Sequence, residues 1–134
     1  MAALLPPSIQ AIKSDRTIGR RGTPTLAYEW IMQNLPHGSS VVLESRNFLL
    51  PEDAFRSKHV IQLRRETYAD FVAEKADYVV ASSQCYGPYF ENPQKFPAEY
   101  ADYMRIFEQS TELIRFTPSD TVPGPELRIF KVKP

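Results

Sequence analysis

The chain has 134 residues, 43% hydrophobic and 24% charged, which is the composition of one globular domain and excludes a wholly disordered chain. Sixteen Lys and Arg balance sixteen Asp and Glu, so no long-range field draws the chain to nucleic acid or anionic lipid, and neither DNA binding nor an electrostatic membrane anchor is expected. One cysteine, Cys85, and two histidines, His37 and His59, exclude a disulfide framework, a multi-Cys zinc site and a His-rich metal site, so no metal is expected; with no phosphate-cradling glycine loop in the sequence, no cofactor is expected either.

Residues 1–22 read as an irregular segment of mixed charge with a turn-prone Gly19-Arg20-Arg21-Gly22 run. The opening Met1-Ala2-Ala3-Leu4-Leu5-Pro6-Pro7 lacks a basic start, and its apolar run stops at the proline pair, so it does not read as a signal peptide. No stretch approaches the roughly 20 apolar residues that span a bilayer, and the chain as given is expected to be soluble.

Thr23-Pro24 predicts a helix start, with Thr23 as cap and Pro24 at the first helical position. Leu26, Ala27, Trp30, Ile31 and Leu35 then recur at helical spacing, and Pro36-His37-Gly38 ends the helix. Val41 to Glu44 is a short apolar run typical of a buried parallel strand. A loop over 45–57 leads to a second predicted strand, His59 to Leu63. Thr67 caps a helix with Tyr68, Phe71 and Val72 on one face, and Tyr78 to Ser82 is the clearest strand of all. Gln84 to Phe96, rich in Pro and Tyr, is expected to be a loop. Pro97 opens a helix that aligns Tyr100, Tyr103, Met104 and Phe107. Glu112 to Thr117 and Glu126 to Val132 form a last, antiparallel pair of strands.

Strands separated by amphipathic helices imply crossover connections and a parallel core sheet. The expected fold is therefore α/β: a single-domain sandwich of about three helices on a mixed sheet of about five strands, three parallel plus the antiparallel C-terminal pair, Rossmann-like in shape. Residues 23–134 form that domain. Trp30 and Tyr103, each on the apolar face of its helix, are expected to anchor the core.

Motifs for chemistry are missing. The sequence has no G-x-G-x-x-G, no G-x-x-x-x-G-K-[ST], no G-x-S-x-G and no H-E-x-x-H. Cys85 with either histidine lacks a spacing that supports a thiol–imidazole pair. Glu52-Asp53 and Arg64-Arg65-Glu66 read as solvated charges. Open α/β sheets bind ligands at the carboxyl ends of their parallel strands. Those ends carry Glu44-Ser45-Arg46 and Ser82-Ser83-Gln84, followed by Tyr86, Tyr89 and Phe90, with Phe96 further on. Two readings stay open there. Glu44, Ser82, Ser83, Tyr86 and Tyr89 hold a weakly bound polar ligand such as a sugar, by hydrogen bonds and ring stacking. Alternatively the serines cap the turn and the rings cover the end of the sheet.

The run from Ala27 to Ser39 fits A-x-x-W-I-x-x-N-x-P-x-G-S. After it come Val41-Val42-Leu43-Glu44, Ala76 to Ser83, Tyr86, Tyr100, Tyr103, Phe107, Leu113, Phe116-Thr117-Pro118, Gly124-Pro125 and Ile129 to Val132. This order, over residues 23–132, resembles the soluble C-terminal domain of polytopic membrane glycosyltransferases. They are the bacterial relatives of dolichyl-phosphate-mannose protein mannosyltransferases and of the lipid A aminoarabinose transferase. One departure is Gly22-Thr23-Pro24, where many relatives have Asp-Thr-Arg. The resemblance implies membrane helices before Met1, with residues 1–22 as the linker from them. It implies a polyprenyl-phosphate sugar donor and a periplasmic or other extracytoplasmic location. In that family the catalytic carboxylate lies in an early loop between membrane helices, so the resemblance assigns no catalytic residue to this chain. The implied partners are the membrane-embedded part of the same protein and a glycan or lipid-linked acceptor. The alternative is a free-standing α/β protein that binds a sugar or nucleotide-like ligand at the strand ends.

Overall fold

The computed structural model describes residues 21–44 and 48–133. The expectations for residues 1–20, and for Ser45 and Arg46, lie outside the described residues. Helix α1 spans Thr23–Asn34, β1 Ser40–Glu44 and β2 Arg56–Val60. A 3-10 turn at Leu63–Arg65 leads into α2, Tyr68–Ala73, and β3, Tyr78–Ser82. Helices α3, Ser83–Glu91, and α4, Pro97–Gln109, precede β4, Thr111–Phe116, and β5, Leu127–Lys131.

The sheet runs β2-β1-β3-β5-β4. β1 pairs in parallel with both β2 and β3. β5 enters antiparallel between β3 and β4. The mixed sheet of three parallel strands plus an antiparallel C-terminal pair is as the sequence predicts, with four α helices described rather than three.

Alternation along the strands divides the core into two layers. Val41, Leu43, Tyr78, Val80, Leu127 and Ile129 pack with Leu26, Ala27 and Ile31 of α1. Val42, Val79, Ala81, Phe130 and Val132 face the other way, against Phe71 of α2, Tyr86 of α3, and Tyr103, Ile106 and Phe107 of α4. Glu44 follows Val42 at a spacing of two, so the alternation carries its carboxylate into the α4 layer.

Four local expectations are corrected. Thr23 is not the cap of α1: Gly22 is, and it makes no side-chain cap bond. The Thr23 hydroxyl instead donates to the Pro125 carbonyl, and the Thr23 N–H donates to the Pro123 carbonyl at 2.8 Å. The β4–β5 loop thus supplies the acceptors. This close approach requires Gly124, at φ +116, because a Cβ there would lie 2.5 Å from the Thr23 hydroxyl oxygen. Strand β2 lies three residues before the predicted His59–Leu63. Ile61 is exposed, and Leu63 is buried in the 3-10 turn. Residues 83–91 are helical rather than loop, with Pro88 inside the helix. Val72 faces solvent while Phe71 is fully buried.

Tyr103 is a core anchor as expected, with no exposed surface. Trp30 is only half-buried and packs at the margin of the α1 layer. Trp30→Ala should therefore cost about 2 kcal/mol, short of the roughly 3–5 kcal/mol of a fully buried ring. Urea unfolding would check this, and a loss within the fully buried range would restore Trp30 to the core.

Helix α2 is defined at both ends by local chemistry. Thr67 and Asp70 form a reciprocal capping box. At the other end the Ala76 N–H bonds the Phe71 carbonyl and the Lys75 N–H bonds the Val72 carbonyl, the two-bond termination that places one residue in left-handed backbone. That residue is Lys75, at φ 60, where an L side chain is strained and glycine is not. Lys75→Gly is thus expected to raise stability by about 0.5–1 kcal/mol, after the added entropy of the unfolded glycine is counted. A melting curve shifted downwards would contradict the assignment.

Candidate functional site

The strand order sets β1 beside β3, so Glu44 and Ser82 meet at one rim, as the sequence predicts for adjacent parallel strands. Glu44 Oε1 accepts from the Ser82 N–H at 2.8 Å. Its Oε2 accepts from the Leu63 N–H at 2.8 Å and from the Tyr103 hydroxyl. Three donors thus fill most of the carboxylate's roughly four acceptor positions. They come from β3, the 3-10 turn and α4, so one side chain ties three elements to β1. Glu44 is only 2% exposed. Burial pushes its carboxyl pKa up to about 7, and the bonds from Tyr103, Leu63 and Ser82 only partly offset that rise. Burial and the nearby Glu44 charge raise the Tyr103 hydroxyl in turn.

The other rim residues are also engaged within the chain. Ser82 is fully buried, and its hydroxyl accepts from the Gln84 N–H, capping α3. Ser83 uses both backbone and side chain on the start of β5: its N–H donates to the Glu126 carbonyl, and its hydroxyl accepts from the Glu126 N–H, each at 2.9 Å. The buried Tyr86 hydroxyl donates to Glu126 Oε1 at 2.5 Å. Burial, then Glu126, raises its pKa. Tyr89 is half-buried; its hydroxyl accepts from Gln62 Nε2 at 3.2 Å, and its ring packs edge-on against Phe96 and tilted against Tyr103. The structure therefore assembles Glu44 with Ser82, and Ser83 with Tyr86 through Glu126. Glu126, which sequence reasoning did not single out, joins the last pair, and the Thr117 hydroxyl also reaches it, at 3.2 Å.

Cys85 sits near this rim, and its Sγ donates to the Ile61 carbonyl at 3.3 Å. Burial and the Glu44 charge push the thiol up to about 12, so it is not a thiolate nucleophile at neutral pH. His59 Nε2 faces the Phe48 carbonyl at 3.4 Å, while the His37 ring packs on Phe55. Neither completes a pair with Cys85 among the described residues. No group of three or more His, Cys, Asp or Glu able to hold a metal occurs among the described residues.

Chemically, a carboxylic acid poised near neutrality would suit proton transfer only within about 3 Å of a substrate proton. At Glu44 those positions belong to the protein's own donors. At the opposite end of the sheet, the amino ends of β1 and β3 border a cleft of about 670 Å³. Comparison of the chain with protein families, with curated protein sequences and with solved structures finds no match.

Proposed function

We propose that this chain is the non-catalytic, extracytoplasmic domain of a membrane glycosyltransferase that draws on a polyprenyl-phosphate-linked sugar. Its partner is the membrane-embedded part of the same protein, and that part carries the chemistry and meets the glycan or lipid-linked acceptor. The observation that supports this reading most is the engagement of Glu44. The place where an open α/β sheet ordinarily offers reactive groups is here tied up by Ser82, Leu63 and Tyr103. A free-standing sugar or nucleotide binder would need those groups for its ligand. Two large apolar side chains are also exposed to solvent, Leu49 at 66% and Ile61 at 73%, and so are available for docking on a further surface.

The direct test is the coding sequence upstream of Met1. A series of apolar segments of about 20 residues each, in frame with this domain, is the expected result. An in-frame stop codon just before Met1, with a start signal at it, would overturn the proposal.

A further inference from the structure

We infer that the cleft at the amino ends of β1 and β3 is a binding site for a phosphate ester with an apolar substituent. The site lies at the opposite end of the sheet from Glu44 and does not depend on the function proposed above. Its volume, about 670 Å³, falls in the range of small-ligand sites. Ala76, Tyr78 and Val132 line it and are buried, which gives it an apolar floor for the substituent. Lys75, at the end of α2, and Lys131, at the end of β5, also line it. Among the described residues neither lysine has an ion-pair partner, whereas Lys58 bridges both Glu66 and Glu74. The one carboxylate on the wall, Asp77, is held by the Ser40 N–H, which donates to its Oδ2 at 2.8 Å. The lining therefore sets two lysines against one aspartate, a net positive balance that favours an anion. Two ammonium groups are point-charge donors suited to phosphate oxygens.

A bland account exists for one of these lysines: a cation near a helix C-terminus is favoured by the helix dipole. It does not reach Lys131, which ends a strand. Nor does it explain a lysine at the left-handed position of Lys75, where glycine fits better. Broken local rules of this kind concentrate where a side chain is used. The position also supplies a clean probe, since Lys75→Gly removes the charge while relieving the backbone.

The test is a titration of the full chain, followed by amide chemical shifts, with hexyl phosphate, inorganic phosphate and hexanol. Hexyl phosphate at millimolar concentration should shift the amides of 36–39, 75–78 and 131–132 saturably. Inorganic phosphate should bind more weakly and hexanol should leave them unmoved. The double variant Lys75→Gly/Lys131→Gln should bind hexyl phosphate at least about tenfold more weakly, as the loss of charge-assisted bonds requires. Sedimentation with phosphatidylglycerol vesicles, against phosphatidylcholine vesicles, assigns the source. Binding to the anionic vesicles that the double variant loses points to a lipid headgroup, and binding of hexyl phosphate alone points to a soluble ester. Equal shifts from hexanol, an unchanged double variant, or no saturable response to hexyl phosphate would overturn the inference.

Discussion

Glu44→Gln should abolish a pH dependence of stability that the wild-type domain shows between about pH 4.5 and 7. The carboxyl of Glu44 is raised from 4.5 to about 7 in the fold by burial. In that window the folded state holds a proton that the unfolded chain releases, so stability falls as pH rises. The stabilisation is complete below the unfolded value and is lost as pH passes the folded one. A shift of this size corresponds to roughly 3 kcal/mol, a large share of the roughly 5–15 kcal/mol that holds a domain together. The glutamine variant has no proton to lose. Like the protonated carboxyl it keeps one carbonyl acceptor, but its amide nitrogen, unlike the acid's hydroxyl oxygen, cannot accept from the remaining Ser82 or Leu63 N–H. At pH 5 it should therefore be less stable than wild type by about 1–3 kcal/mol, the cost of an unpaired buried donor. At pH 9 the deficit should shrink or reverse. Urea unfolding of both proteins at the two pH values reads this difference directly, and parallel stability curves would show that Glu44 is not the buried group described.

Phe107→Ala is expected to remove about 4 kcal/mol, the range for deleting a buried aromatic ring. Phe107 stacks on Phe130 at 4.7 Å with an interplanar angle of 10°. Its ring also meets Tyr86, Phe90 and Tyr103 at centroid distances of 5.6, 5.8 and 5.9 Å. The Arg128 guanidinium lies 4.3 Å from its centroid and adds a cation–π contact worth about 1 kcal/mol. Arg128 is itself held by Glu112, whose carboxyl stays below its ordinary range because Arg115 and Arg128 outweigh its burial. The ring thus joins α3, α4 and β5 around one point. Equilibrium unfolding of the variant checks the figure, and a loss below about 1 kcal/mol would mean that the α4 layer repacks without it.

Elements whose own residues carry the packing were legible in the sequence. Tyr78 to Ser82 is buried throughout, so a continuous apolar run marks β3 at both ends. Helix α4 begins at Pro97, as its proline indicates, and its apolar spacing predicts Tyr103 and Phe107 in the core. The meeting of Glu44 with Ser82 follows from β1 lying beside β3. Strand β2 was misplaced because its Arg56, Ser57 and Lys58 are exposed. An edge strand is held by backbone pairing with β1, and its side chains carry no burial signal. The apolar Ile61 and Leu63 drew the prediction onto residues that leave the sheet. Helix α3 was hidden by Gly87 and Pro88, both poor helix formers. Packing of Tyr86 and Phe90 on α4 outweighs that local preference. The role of Glu126 had no local signal at all, because its partners Ser83 and Tyr86 lie about forty residues away.

The most direct measurement of the central claim is an assay of the purified chain for transfer or hydrolysis of a polyprenyl-phosphate-linked sugar. The engagement of Glu44 by three internal donors and the inert Cys85 thiol predict no turnover above the uncatalysed rate. Turnover that Glu44→Gln abolishes in a folded protein would contradict it, and would make this rim an active site.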